Sequence, residues 1–180
     1  GALDVCEKMS EARARFSIGF RRIAGECLLA LERYSDAHDH YEAILKEFPR
    51  LPWAKLGKGR AFFRLERHDE TQEILEDLVA SNPDFLQAHD LLVKVHEHQG
   101  NLTEAHDLLK LVLQKNPKAL HRHRDVVRVA SATGDTEAAI EAFALMHQHG
   151  KGSSFIRPGD FCEYANLLMH TGSKAARDRL

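Results

Sequence analysis

The chain has 180 residues, of which 43% are apolar, and its formal net charge is -2 with histidine counted as neutral. The apolar content excludes a disordered chain, and the charge balance gives no global attraction for nucleic acid or for an anionic membrane. No apolar run approaches the ~20 residues that a membrane-spanning helix needs.

The cysteines indicate a reducing compartment. Cys6, Cys27 and Cys162 are odd in number and widely spaced, which argues against a disulfide framework or a zinc ribbon. We therefore expect a cytoplasmic protein.

The first predicted element is an amphipathic helix at residues 3–16, within a segment 1–17 that we interpret as a linker or a cap. The chain starts at Gly1 rather than methionine and stops within a helical pattern at Leu180. We therefore expect it to be a piece of a longer protein.

Three prolines set the spacing of the elements that follow. Pro49, Pro83 and Pro117 are equally spaced along the chain, and each should end a helix because proline cannot continue a helix interior. Two of them follow Asn82 and Asn116, which suit a turn. A fixed period of about 34 residues predicts a series of helix pairs.

Columns in the same register predict how the second helix of each pair packs. The column 12 residues before each helix-ending proline holds Ala37, Thr71 and Ala105, and the next position in this series is Ala139. All four residues are small. The columns four and seven residues later hold larger apolar residues, Tyr41, Leu75, Leu109, Phe143, Ile44, Leu78, Val112 and Met146. This spacing places them on one helix face, which we expect to be buried against the first helix of the pair.

The first helices and the turns are marked less strongly. A small-residue column in the first helices holds Gly25, Gly59, Val93 and Val127. The turn column holds Gly100 and Gly134, which fit a helix C-terminus, but Glu32 and Glu66 in the earlier units. The residues predicted to cap the second helices are Ser35, Asp69, Thr103 and Asp135.

The pattern resembles that of the tetratricopeptide repeat, W-x2-L-G-x2-Y, then A-x3-F, then P. The first unit carries Gly25, Leu28, Ala37, Tyr41 and Pro49 in these columns, whereas the tryptophan column is lost in every unit. The resemblance implies an all-α, right-handed superhelical solenoid of antiparallel helix pairs, with about four full repeats and a partial fifth. We place the four units within 18–151, at 18–49, 52–83, 86–117 and 120–151, and a loop with the partial fifth repeat at 152–180.

The start of the fifth unit departs from the period. It begins near Pro158. Its turn glycine, Gly172, lies 38 residues after Gly134, whereas the period of the repeat is 34 residues. The extra residues fall at Gly150 to Ser154, whose sequence GKGSS lacks the spacing and the preceding strand of a phosphate-binding loop.

Histidine is frequent but is not arranged for metal binding. The 12 histidines include four H-x-H pairs, His38/His40, His96/His98, His121/His123 and His147/His149. Side chains two residues apart on a helix point roughly 200° from each other, so one ion cannot bind both. We expect surface or half-buried histidines, no metal site, no cofactor, no catalytic residue and hence no enzyme.

A partner would bind along the first helices, which the family resemblance places on the concave surface. Arg60, Lys94 and Arg128 recur at the period of the repeat and would form a ladder of positive charge for an acidic peptide or protein. The full set of predicted groove residues is Arg22, Trp53, Arg60, Phe63, Arg64, Lys94, Arg124 and Arg128. The alternative is that these cations pair internally, with Glu26, Asp90, Glu97 and Asp125.

The stretches LPWAKLGKGRAFF, NPDFLQAHDLL, GDTEAAIEAF and MHQHGKGSSF resemble a repeat region C-terminal to the receiver domain of bacterial two-component response regulators. This resemblance implies an output or docking module in phosphorelay signalling, with a receiver domain before Gly1. The predicted function is a non-catalytic protein-interaction scaffold. The alternatives are homodimer formation through the ends of the stack, and nucleic-acid binding through the basic ladder, which the intervening acidic residues disfavour.

Overall fold

The computed structural model describes residues 17–151, 153–154 and 156–170, so the predicted helix at 3–16 and Gly172 lie outside the described residues. The described residues form α-helices and no strand, as the all-α prediction requires. In chain order they are α1 (Ile18–Ala30), α2 (Tyr34–Glu47), α3 (Pro52–Arg64), α4 (His68–Ser81), α5 (Leu86–His98), α6 (Leu102–Lys115), α7 (Leu120–Thr133), α8 (Thr136–His149) and α9 (Pro158–His170).

The helix starts follow the period of the prolines along the first eight helices. We call α1, α3, α5 and α7 the leading helices and α2, α4, α6 and α8 the trailing helices. The ninth helix starts at Pro158, four residues after the position that the period predicts. The chain divides into two compact units, Gly1–Gln99 with α1 to α5 and Gly100–Leu180 with α6 to α9.

The predicted core columns of the trailing helices are buried throughout. The small residues Ala37, Thr71, Ala105 and Ala139 are 0% exposed. The eight larger apolar residues that follow them are at most 2% exposed. Burying a large apolar side chain contributes about 1.5–3 kcal/mol, so these columns stabilise the packing of the trailing helices.

Tyr41 explains two glycines on neighbouring leading helices. Its ring is fully buried beside α1 and α3. It meets the Trp53 ring edge to face, with 6.4 Å between the two ring centroids. A Cβ atom at Gly25 would lie 2.5 Å from Tyr41 Cζ, and one at Gly57 would lie 2.2 Å from it. Burial, helped by the negative charge of Glu26, raises the pKa of the Tyr41 hydroxyl. Both glycines are therefore required by the size of one ring.

The turns between helices contain a left-handed residue even where it is not glycine. Glu32 and Glu66 have φ of 58° and 61°, close to the 78° of Gly100 and Gly134 in the same column. The following amide closes the turn, because Arg33 N–H donates to Leu28 O and Arg67 N–H to Phe62 O, both at 3.0 Å. This is the hydrogen bond of a Schellman motif, which usually places glycine at the left-handed position.

The capping prediction is correct for one residue and wrong for three. The Asp135 side chain accepts a hydrogen bond from Ala138 N–H at 3.1 Å. Ser35, Asp69 and Thr103 each lie two residues later in the period than Asp135, inside the first turn of their helices, and do not cap them. In two earlier repeats the column of Asp135 holds an arginine. Arg33 forms an ion pair with Asp36 at 2.6 Å, and Arg67 forms one with Glu70 at 2.7 Å. These ion pairs link the N-cap residue to the first turn of α2 and of α4.

Replacing the left-handed glutamate at the turn of α3 and α4 by glycine should stabilise the protein. A left-handed conformation costs an ordinary residue about 1–2 kcal/mol, and the greater chain entropy of glycine offsets part of that gain. We expect Glu66→Gly to raise the free energy of unfolding by about 0.5–1 kcal/mol in urea denaturation. The matched control is Gly134→Ala, which should lower it; the same sign for both variants would contradict the prediction.

Adding one methyl group at Gly57 should destabilise the protein through Tyr41. We expect Gly57→Ala to lower the free energy of unfolding by about 1–3 kcal/mol, since the ring cannot move out of a packed interior. Gly19→Ala is the control, because the nearest atom to its Cβ, Ser17 Oγ, is at 3.7 Å. In a double-mutant cycle, Tyr41→Leu should remove most of the effect of Gly57→Ala; additive effects would exclude the clash as the cause.

Candidate functional site

The leading helices of the first unit form a cleft. Residues of α1, α3 and α5, with Tyr34 at the start of α2, enclose a space of about 360 Å³, which we call the leading-helix cleft. Its lining residues are Glu26, Leu29, Ala30, Tyr34, Arg60, Phe63, Arg64, Leu91 and Lys94. Four of the eight predicted groove residues therefore lie together here, namely Arg60, Phe63, Arg64 and Lys94.

The three cations of this cleft have different surroundings. Arg60 Nη1 lies 3.1 Å from a Glu26 carboxylate oxygen, and both side chains are about half exposed. Arg64 Nε donates to the Tyr34 hydroxyl at 3.1 Å, with its guanidinium carbon 5.2 Å from the centre of the Tyr34 ring. Lys94 is exposed and makes no ion pair with any described residue. The cleft thus offers two cations that no carboxylate of the described residues neutralises.

Phe63 forms the apolar side of the cleft together with Leu29 and Leu91. Its ring is half-buried and meets the edge of the His98 ring, with 5.1 Å between centroids. The His68 ring lies 5.4 Å from Phe63 and stacks on His98 at 5.1 Å. These contacts from α4 and α5 fix the aromatic wall, so a ligand would meet a rigid apolar surface beside the cations.

Trp53 and Arg22 lie outside the leading-helix cleft. The Arg22 guanidinium carbon is 5.8 Å from the centre of the Trp53 ring, and Trp53 packs against the core around Tyr41. Trp53 is half-buried in this position. Much of the apolar surface of Trp53 therefore packs against the core and is not available to a partner. Sequence spacing alone could not distinguish this packing role from a role in binding.

In the second unit, both predicted groove arginines meet carboxylates. Arg124 Nη2 lies 2.8 Å from Asp160 of α9, and Arg128 Nη2 lies 2.8 Å from Asp125 of the preceding helical turn. Burial works against ionisation of Asp160, but hydrogen bonds from Arg157 N–H and Arg124 hold its pKa below the usual value. The internal pairing considered for Glu26 and Asp125 therefore occurs at Arg60 and Arg128, while Asp160 is a partner that the repeat register could not indicate.

Three histidines, His89, His106 and His123, are buried, so the prediction of surface or half-buried histidines is wrong for them. Two of the three share one structural role. His89 and His123 are 2% and 3% exposed, and they occupy the column of the lost tryptophan. Their Nε2 atoms lie 3.0 Å from Pro83 O and 2.7 Å from Pro117 O. Because a carbonyl only accepts, Nε2–H must donate, and each imidazole ties a leading helix to the preceding turn. In the sequence, each of these histidines lies six residues after a helix-ending proline, and this spacing was the signal that could have indicated the hydrogen bond.

Two features are absent from the described residues. No helix in that part of the chain is long and apolar enough to cross a membrane. Within the same residues, no three or more histidine, cysteine, aspartate or glutamate side chains are grouped so as to hold a metal ion.

Known structures share this fold. A thermophilic TPR protein of Thermus thermophilus has a TM-score of 0.73 at 16% identity, covering 93% of this chain and 89% of its own. YrrB, described as a TPR protein with an unusual peptide-binding site, has a TM-score of 0.72 at 14% identity, covering 97% and 87%. MamA of Desulfovibrio magneticus RS-1 has a TM-score of 0.73 at 18% identity, covering 85% and 86%.

The fold is therefore that of the tetratricopeptide-repeat solenoids. By sequence, residues 28–95 match the Tetratricopeptide repeat family, which confirms the repeat assignment over that part of the chain. No curated protein matches the sequence significantly.

The second unit should lose stability in mild acid. Burial first, then Lys110, lowers the pKa of His106, and burial lowers that of His123 despite its hydrogen bond to Pro117. Both neutral imidazoles favour the folded state, so stability is complete above the unfolded-state pKa of about 6.5 and falls as the pH drops below it. The slope should be at most about 1.4 kcal/mol per pH unit for each histidine.

Urea denaturation between pH 8 and pH 5 measures this slope. We expect His106→Gln/His123→Gln to flatten it, whereas His121→Gln, which changes an exposed histidine, should leave it as it is. An unchanged slope in the double variant would exclude these two imidazoles as its source.

Proposed function

We propose that this protein is a non-catalytic scaffold that binds a protein or peptide partner, and that the leading-helix cleft takes an acidic segment of that partner. The observation that carries this proposal is the combination, within one cleft of about 360 Å³, of Arg64, Lys94 and the aromatic wall of Phe63. Tetratricopeptide-repeat folds generally serve protein–protein interaction, which agrees with it.

The chemistry of the cleft favours a carboxylate next to an apolar side chain. A partner carboxylate would meet Lys94 and the guanidinium of Arg64, and arginine can hold such a group through two hydrogen bonds. An apolar side chain would lie against Phe63, Leu29 and Leu91, where its burial supplies affinity. The exposed Arg60–Glu26 pair contributes about 0–1 kcal/mol, so a partner carboxylate can displace Glu26 from Arg60 at small cost.

The wider ladder and the cellular role are parts of the same proposal. Arg22, Trp53, Arg124 and Arg128 would extend the binding surface, although Arg124 and Arg128 already have carboxylate partners. The resemblance to repeat regions of response regulators supports an output or docking module in phosphorelay signalling. A cytoplasmic location follows from that role.

Homodimer formation is a second candidate, favoured by an exposed apolar surface on the first helix. Ile18, Phe20 and Ile23 are 39%, 38% and 54% exposed, and Leu31 just after the helix is 54% exposed. Light scattering over a range of protein concentrations tests this candidate. A concentration-independent monomer would reject it. Nucleic-acid binding remains disfavoured, because the net charge is -2 and Glu26 lies among the cations of the cleft.

Reversing the charge of the cleft should weaken binding of an acidic peptide. The probe is a fluorescein-labelled peptide that alternates glutamate with phenylalanine, measured by fluorescence anisotropy. We expect Arg60→Glu/Lys94→Glu to weaken its binding at least about tenfold, since two attractive contacts become repulsive. The control Lys46→Glu/Arg50→Glu makes the same change of net charge at exposed positions outside the cleft, and should change affinity less than about twofold.

Adding Arg128→Glu to the cleft variant tests the ladder. A further loss of affinity would extend the site into the second unit, whereas no further loss would confine it to the first. Equal peptide affinity for the wild type and the cleft variant would reject the proposal. The same variants can be compared in a pull-down from the source cell, where the partner should bind the control and not the cleft variant.

A further inference from the structure

A second cleft lies in the second unit, on the side of the trailing helices. It has a volume of about 380 Å³ and is enclosed by α6 and α8 with α7 between them. We call it the trailing-helix cleft. Its apolar lining residues include Val126 of α7 and Leu145 of α8, and His106, Lys110 and His149 are among its polar lining residues.

In the first unit, two periods earlier in the sequence, several of the corresponding columns hold larger side chains. There the Phe62 ring packs against His38 at 4.9 Å and lies under the Lys58 ammonium at 5.3 Å. The second unit has Ala130 in the column of Phe62 and Val126 in the column of Lys58. Loss of the phenyl ring and of the lysine side chain leaves open space beside His106.

Ion pairs that bridge these columns in the first unit are replaced as well. Lys58 pairs with Glu42, and Lys55 pairs with Asp77. In the second unit the first pair becomes Val126 with Lys110, and the second becomes His123 with Leu145. Neither replacement can form an ion pair. The cleft therefore gains the apolar side chains of Val126 and Leu145, and it gains Lys110 in the column that holds an acid in the first unit.

The cleft contains hydrogen-bonding groups that the described residues leave without partners. His106 and His123 line it and are 7% and 3% exposed. Nε2 of His106 and Nδ1 of His123 have no hydrogen-bond partner among the described residues. Buried polar atoms usually have a partner. Because Nε2–H of His123 donates to Pro117 O, its Nδ1 can only accept a hydrogen bond. Nε2 of His106 can donate one when it carries the proton, so His106 is the group that suits an anionic ligand atom.

Among the described residues that line the cleft, Lys110 is the one permanent cation and Glu141 is the one acid. His106 and His123 also line it, and burial lowers the pKa of both imidazoles, which favours their neutral form. Lys110 is exposed and makes no ion pair with a described residue. A negative group beside Lys110 and His106 would therefore meet attraction, and Glu141 sets the limit on where it can lie.

We infer that the trailing-helix cleft binds a small molecule with an apolar body and one anionic group, such as an aromatic or aliphatic carboxylate. The apolar body lies against Val126 and Leu145, and the anionic group lies at Lys110 beside the imidazole of His106. Ligand sites of about 300–1,000 Å³ with apolar walls and few polar groups are typical of small-molecule binding. This site is separate in sequence and chemistry from the cleft of the proposed function.

Binding of 8-anilinonaphthalene-1-sulfonate to the full chain tests this inference, because the dye has an apolar body and one anionic group and fluoresces in apolar surroundings. We expect saturable binding to one site that survives Arg60→Glu/Lys94→Glu, since those changes lie in the other unit. 2-Naphthoate should compete at least tenfold better than its neutral analogue 2-naphthamide. Equal competition by both compounds would overturn the anionic part of the inference.

Two variants locate the dye. Ala142→Phe fills the cleft and Lys110→Glu reverses its exposed charge, and each should weaken dye binding at least tenfold. The control Ala80→Phe adds the same ring at an exposed position of α4 and should have no effect. Circular dichroism checks that each variant is folded, and Lys110→Glu carries the test if Ala142→Phe is not. Full affinity in a folded Lys110→Glu variant, or no saturable binding to the wild type, would overturn the proposal and leave the cleft to a macromolecular partner.

Discussion

Close approach of a trailing helix to the leading helix before it, as for α1 with α2 and α7 with α8, is the contact on which each compact unit depends. A small residue such as Ala37 or Ala139, 0% exposed, lets the backbones come together, and the large residue one turn later fills the space beside it. Where the large residue is Tyr41, its ring reaches the backbones of two leading helices, and only glycine, which has no Cβ atom, fits at positions 25 and 57. The remaining features, including both clefts, are consequences of which side chains the other columns carry.

The repeat period made the fold predictable, because burial of an apolar face imposes a regular spacing that survives substitution of individual residues. Columns such as Ala105 and Leu109 carry this signal without any family motif. The left-handed residue in the turn between two helices was less predictable, because Glu32 and Glu66 adopt this conformation although glycine favours it. In those turns the tertiary contacts of two packed helices override the local preference of one residue.

The candidate site was predictable only where one helix face decides the outcome. Arg60, Phe63, Arg64 and Lys94 come together because leading helices lie side by side in the first unit. Trp53 was misleading, since a large ring at a groove position can equally pack inward on Tyr41. The trailing-helix cleft was not visible in the sequence, because it arises from what Ala130 and Val126 lack compared with Phe62 and Lys58, and periodicity reports what is shared between units rather than what is missing.

The fit of Tyr41 between two glycines also restricts the order in which this part of the chain can change over time. A side chain at Gly25 or Gly57 is tolerable only after the ring has been replaced by something smaller, such as the leucine found in the same column at Leu75. The reverse order passes through a chain in which the ring has no room. The history of the three positions is therefore directional, and the glycines should persist in any descendant that keeps the tyrosine.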